Sequence, residues 1–340
     1  MTDNTMFTTL PLPDGRTLQG DCKDDRLTLA DEQGPLVQTR ISVAGEILEL
    51  AVEELRDEDA GIICALAYWA LSAHPDCQCL QWTGLSAYPA LHQALAARGL
   101  LIKAPSSEDR QTRREALWQQ EGWLKAEAKR DFPEMLVVDH HVRHPLRPPK
   151  PVGEVYRRYD VQLGSWISFR TLDVEADLER FNRWQNKPRV NEFWEEAGTL
   201  DEHRAHLGNL AADPHCLQLI GCFDGEPFGF FDVYWAREDR IGPWCDAAFY
   251  DRGIHMLVGE DHHRGPHKIG CWLPSLVHYL FLDEPRTARI VSEPRSDNDR
   301  MIGHLINTGF SRLRDFNFPH KRAALMSLSR ERFFDRCVLR

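Results

Sequence analysis

His255 stands in an otherwise apolar run, Gly-Ile-His-Met-Leu-Val-Gly from 253 to 259. An imidazole there can take or give a proton near neutral pH, or serve as a hydrogen-bonded core histidine. Just beyond it, Asp261-His262-His263-Arg264-Gly265-Pro266-His267-Lys268-Ile269-Gly270 places Arg264, Lys268 and three histidines in one loop. Pro266 suits the first turn of a helix. A helix start offers free N–H groups and the positive end of the dipole, where extra cations are unfavourable unless an anion arrives. That chemistry fits a pyrophosphate, although the GxxxxGK[ST] pattern of a nucleotide P-loop is absent from the sequence. Asp297 follows Arg295 and Ser296 and precedes Asn298. It reads as an N-cap or as the second member of an acid/base pair with His255. The segment Trp184-Gln185-Asn186-Lys187-Pro188-Arg189-Val190-Asn191-Glu192-Phe193-Trp194 sets aromatic rings, two asparagines and a cation around a proline. Asn186, Arg189 and Asn191 supply donors suited to a carboxylate or amide between Trp184 and Trp194, unless the aromatics only pack a helix end. Trp235 and Trp244, with Asp239 and Asp246, read as an opposing wall.

These residues need elements to hold them, and the apolar periodicity supplies candidates. Residues 60–73 read as a buried helix, 79–82 as a strand, and 87–98 as an amphipathic helix closed by Gly99. The proline-rich HPLRPPKPV stretch, 144–152, reads as a linker. Beyond it the pattern predicts a strand at 166–170, a helix at 174–184, and strands 216–223 and 228–234 joined by Asp224-Gly225, a hairpin signal. A strand at 253–258, a helix at about 267–282, a strand at 288–292, a helix at 297–308 closed by Gly309 and a last strand pair around 311–328 complete an α/β (α+β) chain. In such a sheet, the C-terminal end of one strand and the loop after its neighbour meet at the ligand crevice. His255 and Asp297 would meet there, beside the anion loop.

The two halves also resemble one another. A shift of 210 residues sets Pro285 on Pro75, Ile290 on Leu80, Leu305 on Leu95 and Gly309 on Gly99. The same shift sets Asp297 on Ala87, Arg295 on Leu85 and His255 on Gly45, so the first copy would keep the fold and lack the chemistry. The expected division is 1–143, a linker at 144–152, and a catalytic part at 153–340. With 340 residues, 42% of them hydrophobic, the chain can build two cores. A formal charge of −11 argues against a nucleic-acid surface. Nine scattered cysteines, no metal-ligand spacing, no apolar leader and no membrane-length apolar run predict a cytoplasmic protein with reduced thiols, no metal and no membrane association.

Together FNRWQNKPRVNEFWEE, the run from Tyr234-Trp235 through DRGIHMLVGE, HYLFLDEPRTARIVSEPRSDN and MIGHLINTGF resemble the siderophore-biosynthesis N-acyltransferases. The likeness is strongest to aerobactin-type N-hydroxylysine acetyltransferases of the Gcn5-related N-acetyltransferase (GNAT) superfamily, and covers residues 165–330. It implies a GNAT fold with a mixed central sheet flanked by helices, preceded by a degenerate GNAT-like N-terminal domain. It also implies acetyl-CoA as co-substrate and an N-hydroxylated basic amino acid or diamine as acceptor, with other siderophore-pathway enzymes as partners. The pantetheine would lie along Met256, Leu257 and Val258, opposite Ile290 to Ser292. His263, Arg264, Gly265, Pro266, His267, Lys268, Ile269 and Gly270 would hold the pyrophosphate, with Gly265 at the superfamily's signature glycine. His262 and His267 stand where Gln or Arg, and Gly or Ala, are usual. His255 and Asp297 match the family's catalytic His and Asp, and transfer would be direct, in a ternary complex. Trp184, Asn186, Arg189, Asn191, Trp194, Trp235 and Arg295 would line the acceptor side. A different acyl group, an acceptor such as N-hydroxyornithine or N-hydroxycadaverine, or a non-catalytic CoA-binding module are the alternatives.

Overall fold

The computed structural model describes residues 9–12, 15–56, 58–104, 110–125, 132–139, 142–336 and 339. Contacts divide the chain into two compact units, Met1–Gly122 with Arg340, and Trp123–Leu339. In the first, β1 (Thr9–Pro11), β2 (Thr17–Lys23), β3 (Arg26–Asp31), β4 (Gly34–Ala44) and β5 (Ile47–Leu55) run as an antiparallel meander. Helix α1 (Ala60–Ala73) then crosses over to β6 (Cys79–Thr83), which lies parallel to β5. Helix α2 (Pro89–Ala97), strands β7 (Ile102–Lys103) and β8 (Arg110–Arg113), and helix α3 (Arg114–Trp118) complete the unit.

The second unit opens with the hairpin β9 (Leu136–Asp139) and β10 (Val142–Pro145). The proline-rich stretch that follows is anchored by Arg147, which is buried and donates to Glu238 at 2.5 and 2.7 Å. Strands β11 (Glu154–Asp160) and β12 (Ser165–Thr171) lead into helices α4 (Val174–Gln185), α5 (Pro188–Trp194) and α6 (Leu200–Ala212). Then come β13 (Cys216–Phe223), β14 (Glu226–Trp235), α7 (Gly242–Cys245), β15 (Arg252–Val258), α8 (Pro266–Asp283) and β16 (Arg289–Ser292). Helix α9 (Asp299–Thr308), strands β17 (Ser311–Asn317) and β18 (Arg322–Ser329), and helix α10 (Arg330–Arg336) end the unit.

Most of these elements follow from local chemistry. Asp224 (φ 49) and Gly225 (φ 83) both adopt positive φ, which a two-residue I′ hairpin demands, and they join β13 to β14 with Phe223 opposite Glu226. Strand β13 is buried along its whole length. Leu178, Phe181, Trp184, Val190 and Leu207 of α4, α5 and α6 cover Ile220, Phe230 and Leu257 of the sheet. Trp272 of α8 packs on Phe228 and Phe231. No helix among the described residues is long and apolar enough to cross a membrane.

The two sheets have one topology. Their orders are β1-β2-β3-β4-β5-β6-β8-β7 and β11-β12-β13-β14-β15-β16-β18-β17, with one parallel pair in each, β5 with β6 and β15 with β16. The degenerate GNAT-like N-terminal unit is therefore visible as a repeated strand order. Strand pairing corrects the constant 210-residue shift. Leu48 pairs with Leu80 and Arg252 with Ile290, so the shift is 210 at β6 and β16 but 204 at β5 and β15. His255 therefore corresponds to Ala51, not Gly45. The difference arises between the paired strands: residues 259–265 precede α8 where only 56–59 precede α1, and α8 is 18 residues long where α1 is 14.

Candidate active site

Strand β15 pairs with β16 only at Arg252 and Gly253, and beyond them the strands part. Along the β16-facing edge of residues 254–258, the Ile254 carbonyl accepts from the Ser292 hydroxyl at 3.2 Å. Met256, Leu257 and Val258 form the parted section; Leu257 is buried in the core, and Met256 and Val258 are half-buried. The splay falls where the family resemblance implied it.

His255 lies at the start of the splay. Its Nε2 is 2.6 Å from Oε1 of Glu293, the residue directly after β16. Tyr234 on β14 donates to the other oxygen, Oε2, at 2.8 Å. The Tyr234 ring lies 4.8 Å from the His255 ring and the Trp194 ring 6.4 Å from it. Burial alone would raise the Glu293 carboxyl, but His255 above all, then Lys321 and Tyr234, pull it down to about 2. Burial alone would lower the His255 imidazolium, yet the Glu293 carboxylate more than offsets this and the net shift is upward. Opposite His255 on β14, burial pushes the Asp232 carboxyl up to about 6.

The pair depends on a glycine. Gly253 faces Tyr234 across β14 and β15, and a Cβ there would fall 2.0 Å from the tyrosine ring. Gly253→Ala is therefore expected to displace Tyr234 from Glu293 and to cost about 1–3 kcal/mol of stability. Thermal unfolding and turnover measured together check this; unchanged values in both would show that the ring is not held there.

The loop before α8 also has a clear geometry. Gly265 is the N-cap (φ 127), Pro266 the first helical residue, and no side chain caps the helix start. The first helical bond runs from Ile269 N to Gly265 O, 3.0 Å. Arg264 and His267 are exposed, and Lys268 is half-buried with its Nζ 4.2 Å from the centre of the Phe223 ring. Gly270 has open space at its Cβ position. His263 is buried and stacked on Phe223, and Glu226 lies 2.9 Å from His262 and 3.3 Å from His263. These three are the grouping among the described residues with donor types and spacing open to a metal ion. The equivalent helix of the first unit is closed differently. Asp59 caps α1, its carboxylate accepting from Gly61 N at 2.8 Å. The start of α1 is thus capped by a carboxylate, and the start of α8 by no side chain.

Other residues expected at the site are engaged within the protein. Asp297 is exposed and paired with Arg295 through contacts of 3.1 and 2.7 Å, while the carboxylate beside His255 is Glu293. The N-cap of α9 is Asn298, not Asp297. Arg295 also donates to Glu192 O and stands over Phe193. Trp184 is fully buried against Gly259, where any Cβ would meet the indole at 2.1 Å, and its Nε1 donates to Glu260. Arg189 spends its donors on Asp261, Val258 O and Gly259 O, which fastens α5 to the end of β15. Asn186 bonds Asn182 O and both backbone groups of Gly198, and Asn191 accepts from Ala197 N. Trp235 is buried between the guanidinium groups of Arg147 and Arg252, each 4.1 Å from its ring. Trp194 alone of that aromatic set faces His255. The segment Trp184–Trp194 is thus chiefly a brace under the loop before α8.

Comparison with known proteins agrees with this geometry. Residues 173–318 match the acetyltransferase (GNAT) domain model. The chain is 46% identical to the N(6)-hydroxylysine O-acetyltransferase of Escherichia coli over 222 residues, 65% of this chain and 70% of that one. It is 42% identical to hydroxyornithine transacylase SID3 of Ajellomyces capsulatus over 199 residues, 57% of this chain but 45% of that one. An uncharacterized protein of Bacillus halodurans shares the fold with a TM-score of 0.52 at 26% identity, covering 55% of this chain and 95% of its own. A GNAT domain carrying a His255–Glu293 pair at its strand splay, with relatives of this identity and coverage, places the chain in the siderophore-biosynthesis N-acyltransferase family, an enzyme family of the GNAT superfamily.

Proposed function

We propose that the protein transfers an acetyl group from acetyl-CoA to the nitrogen of an N-hydroxylated basic amino acid or diamine, N6-hydroxylysine in the first instance, giving a hydroxamate. The observation that carries this reading is the His255–Glu293 pair, 2.6 Å apart, where β15 and β16 part. The uncapped start of α8, with Arg264, His267 and Lys268 around it, suits the CoA pyrophosphate, and the open edge of Met256 to Val258 suits the pantetheine. A backbone N–H near Met256 would polarise the thioester carbonyl.

A hydroxylamine is less basic than an alkylamine and is largely neutral near pH 7. Its nitrogen attacks the thioester carbon directly, the N–C bond forms, and the C–S bond breaks as the thiolate leaves and takes up a proton. His255 removes the proton from the attacking nitrogen, and Glu293, held by Tyr234, fixes the imidazole's orientation and stabilises its charged form. Asp297 could reach the N–OH group only by leaving Arg295, so we give the orienting role to Glu293.

The hydroxylamine has two nucleophilic atoms, and the name of the Escherichia coli relative specifies O-transfer. A ferric-ion assay separates the outcomes, because an N-acyl hydroxylamine chelates iron(III) as a coloured hydroxamate and an O-acyl one does not. Thiol release with acetyl-CoA and a panel of N-hydroxylysine, N-hydroxyornithine and N-hydroxycadaverine should show turnover with a coloured product. CoA binding without turnover on any acceptor would point instead to a binding module, and an isolable acetyl-enzyme would exclude direct transfer.

A further inference from the structure

Two cations stand beside the His255–Glu293 pair without hydrogen-bonding to it. Arg240, in the loop after β14, and Lys321, in the turn between β17 and β18, approach Glu293 Oε1 at 3.8 and 3.9 Å. These distances are beyond hydrogen bonding, and the two carboxylate oxygens already take His255 and Tyr234. Both cations stand over the Phe318 ring, at 5.5 and 5.7 Å, and His320 stacks on it with centroids 5.4 Å apart. The guanidinium and ammonium are thus held together on one aromatic platform. Burial pulls the Lys321 ammonium below its ordinary value, with Glu293 opposing and Arg240 adding to the fall. Asp239 also acts on Lys321 and Glu196 on Arg240, but neither reaches these cations at ion-pair distance, so Arg240 and Lys321 keep their donors for a ligand. Access is open, since the Arg240 side chain is 50% exposed and that of Lys321 20%.

We propose that Arg240 and Lys321 form a carboxylate-binding subsite of the acceptor pocket. A planar guanidinium with an ammonium beside it matches a carboxylate in shape and charge. This subsite takes the place expected of Arg189, whose donors are spent on Asp261 and the end of β15. It rests on the acyltransferase reading, and it selects a substrate class within that reading: an N-hydroxy amino acid over the corresponding diamine. The carboxylate could equally arrive on a dicarboxylic acyl group, and the test separates the two sources.

Steady-state kinetics would compare the full-length protein with Arg240→Ala, Lys321→Ala and the double variant. The substrates are N6-hydroxylysine and N-hydroxycadaverine, which differ by one carboxylate, each with acetyl-CoA, and N-hydroxycadaverine with succinyl-CoA. Each single variant should lower kcat/KM for hydroxylysine about 10- to 100-fold more than for hydroxycadaverine, mainly through KM. Arg240→Lys should recover part of the loss. A loss confined to succinyl-CoA would assign the subsite to the acyl group. Equal losses on all substrates, or no loss on any carboxylate-bearing one, would overturn the subsite. Absence of turnover on every acceptor would overturn the acyltransferase reading instead. Calorimetric titration of hydroxylysine into wild type and the double variant would then still decide the subsite, which predicts weaker binding to the variant and fails if the two bind alike.

Discussion

His255→Ala is expected to lower kcat about 100- to 10,000-fold with little change in the KM for acetyl-CoA, because a positioned general base contributes that factor to the proton-transfer step. The loss corresponds to roughly 3–5.5 kcal/mol of barrier. Alanine also strips Glu293 of its principal partner, leaving a buried carboxylate with only the Tyr234 hydroxyl at hydrogen-bond distance. Some loss of stability should therefore accompany the loss of rate. His255→Gln separates the two effects, since an amide can still donate to Glu293 but cannot serve as a base at neutral pH. Turnover should fall as far in His255→Gln as in His255→Ala, while thermal stability is largely recovered. Near-wild-type turnover in the glutamine variant would remove His255 from proton transfer.

His255 was legible in the sequence because a lone imidazole in an apolar strand beside a cation-rich helix start combines two unrelated signals. Strands β15 and β16, the Asp224-Gly225 hairpin and the glycine after α9 were legible for a similar reason: each depends on local periodicity or on a positive φ that few residues besides glycine adopt readily, whereas the parting of the strands was implied only by the family resemblance. The identity of the second carboxylate was not. Glu293 and Asp297 both follow β16, and the rule that places ligands at strand C-termini admits either. What separates them is reach: Glu293 is the first residue beyond the strand and turns inward, whereas Asp297 lies four residues on and meets Arg295. The 210-residue comparison held the signal, because Glu293 falls on Thr83 and is therefore also absent from the first copy. Arg189 and Asn191 misled for another reason. A donor matched to a ligand carboxylate is equally matched to a backbone carbonyl or loop aspartate, and composition does not say which is nearer. Helix α6 went unpredicted although Thr199 and Glu202 write a capping box at its start, because its apolar stripe is thin.

Glu293→Gln should move the pH dependence of catalysis, and the sign follows from which charges remain. In the wild type, burial lowers the His255 pKa but Glu293 outweighs it, so the imidazole stays protonated above the ordinary value of 6.5. The base form appears only as pH rises through that raised pKa, and kcat/KM should climb over the same interval. With glutamine the carboxylate is gone while burial stays, so the acid limb should move to lower pH, past 6.5 if burial prevails over Asp232. At pH above both limbs the variant should still be slower, about 10- to 100-fold, because the amide no longer fixes one tautomer or stabilises the imidazolium. Stability gives a second readout. Glu293, lowered to about 2 from 4.5, contributes stability that is present above 4.5 and lost as pH falls through about 2. His255, raised from 6.5, contributes below 6.5 and loses its contribution as pH rises through the raised value. The stability difference between wild type and Glu293→Gln should therefore be largest between pH 4.5 and 6.5, on the order of 3 kcal/mol, and shrink on either side. An acid limb that stays in place, together with a stability difference independent of pH, would mean that Glu293 is a packing residue and that another group sets the protonation of His255.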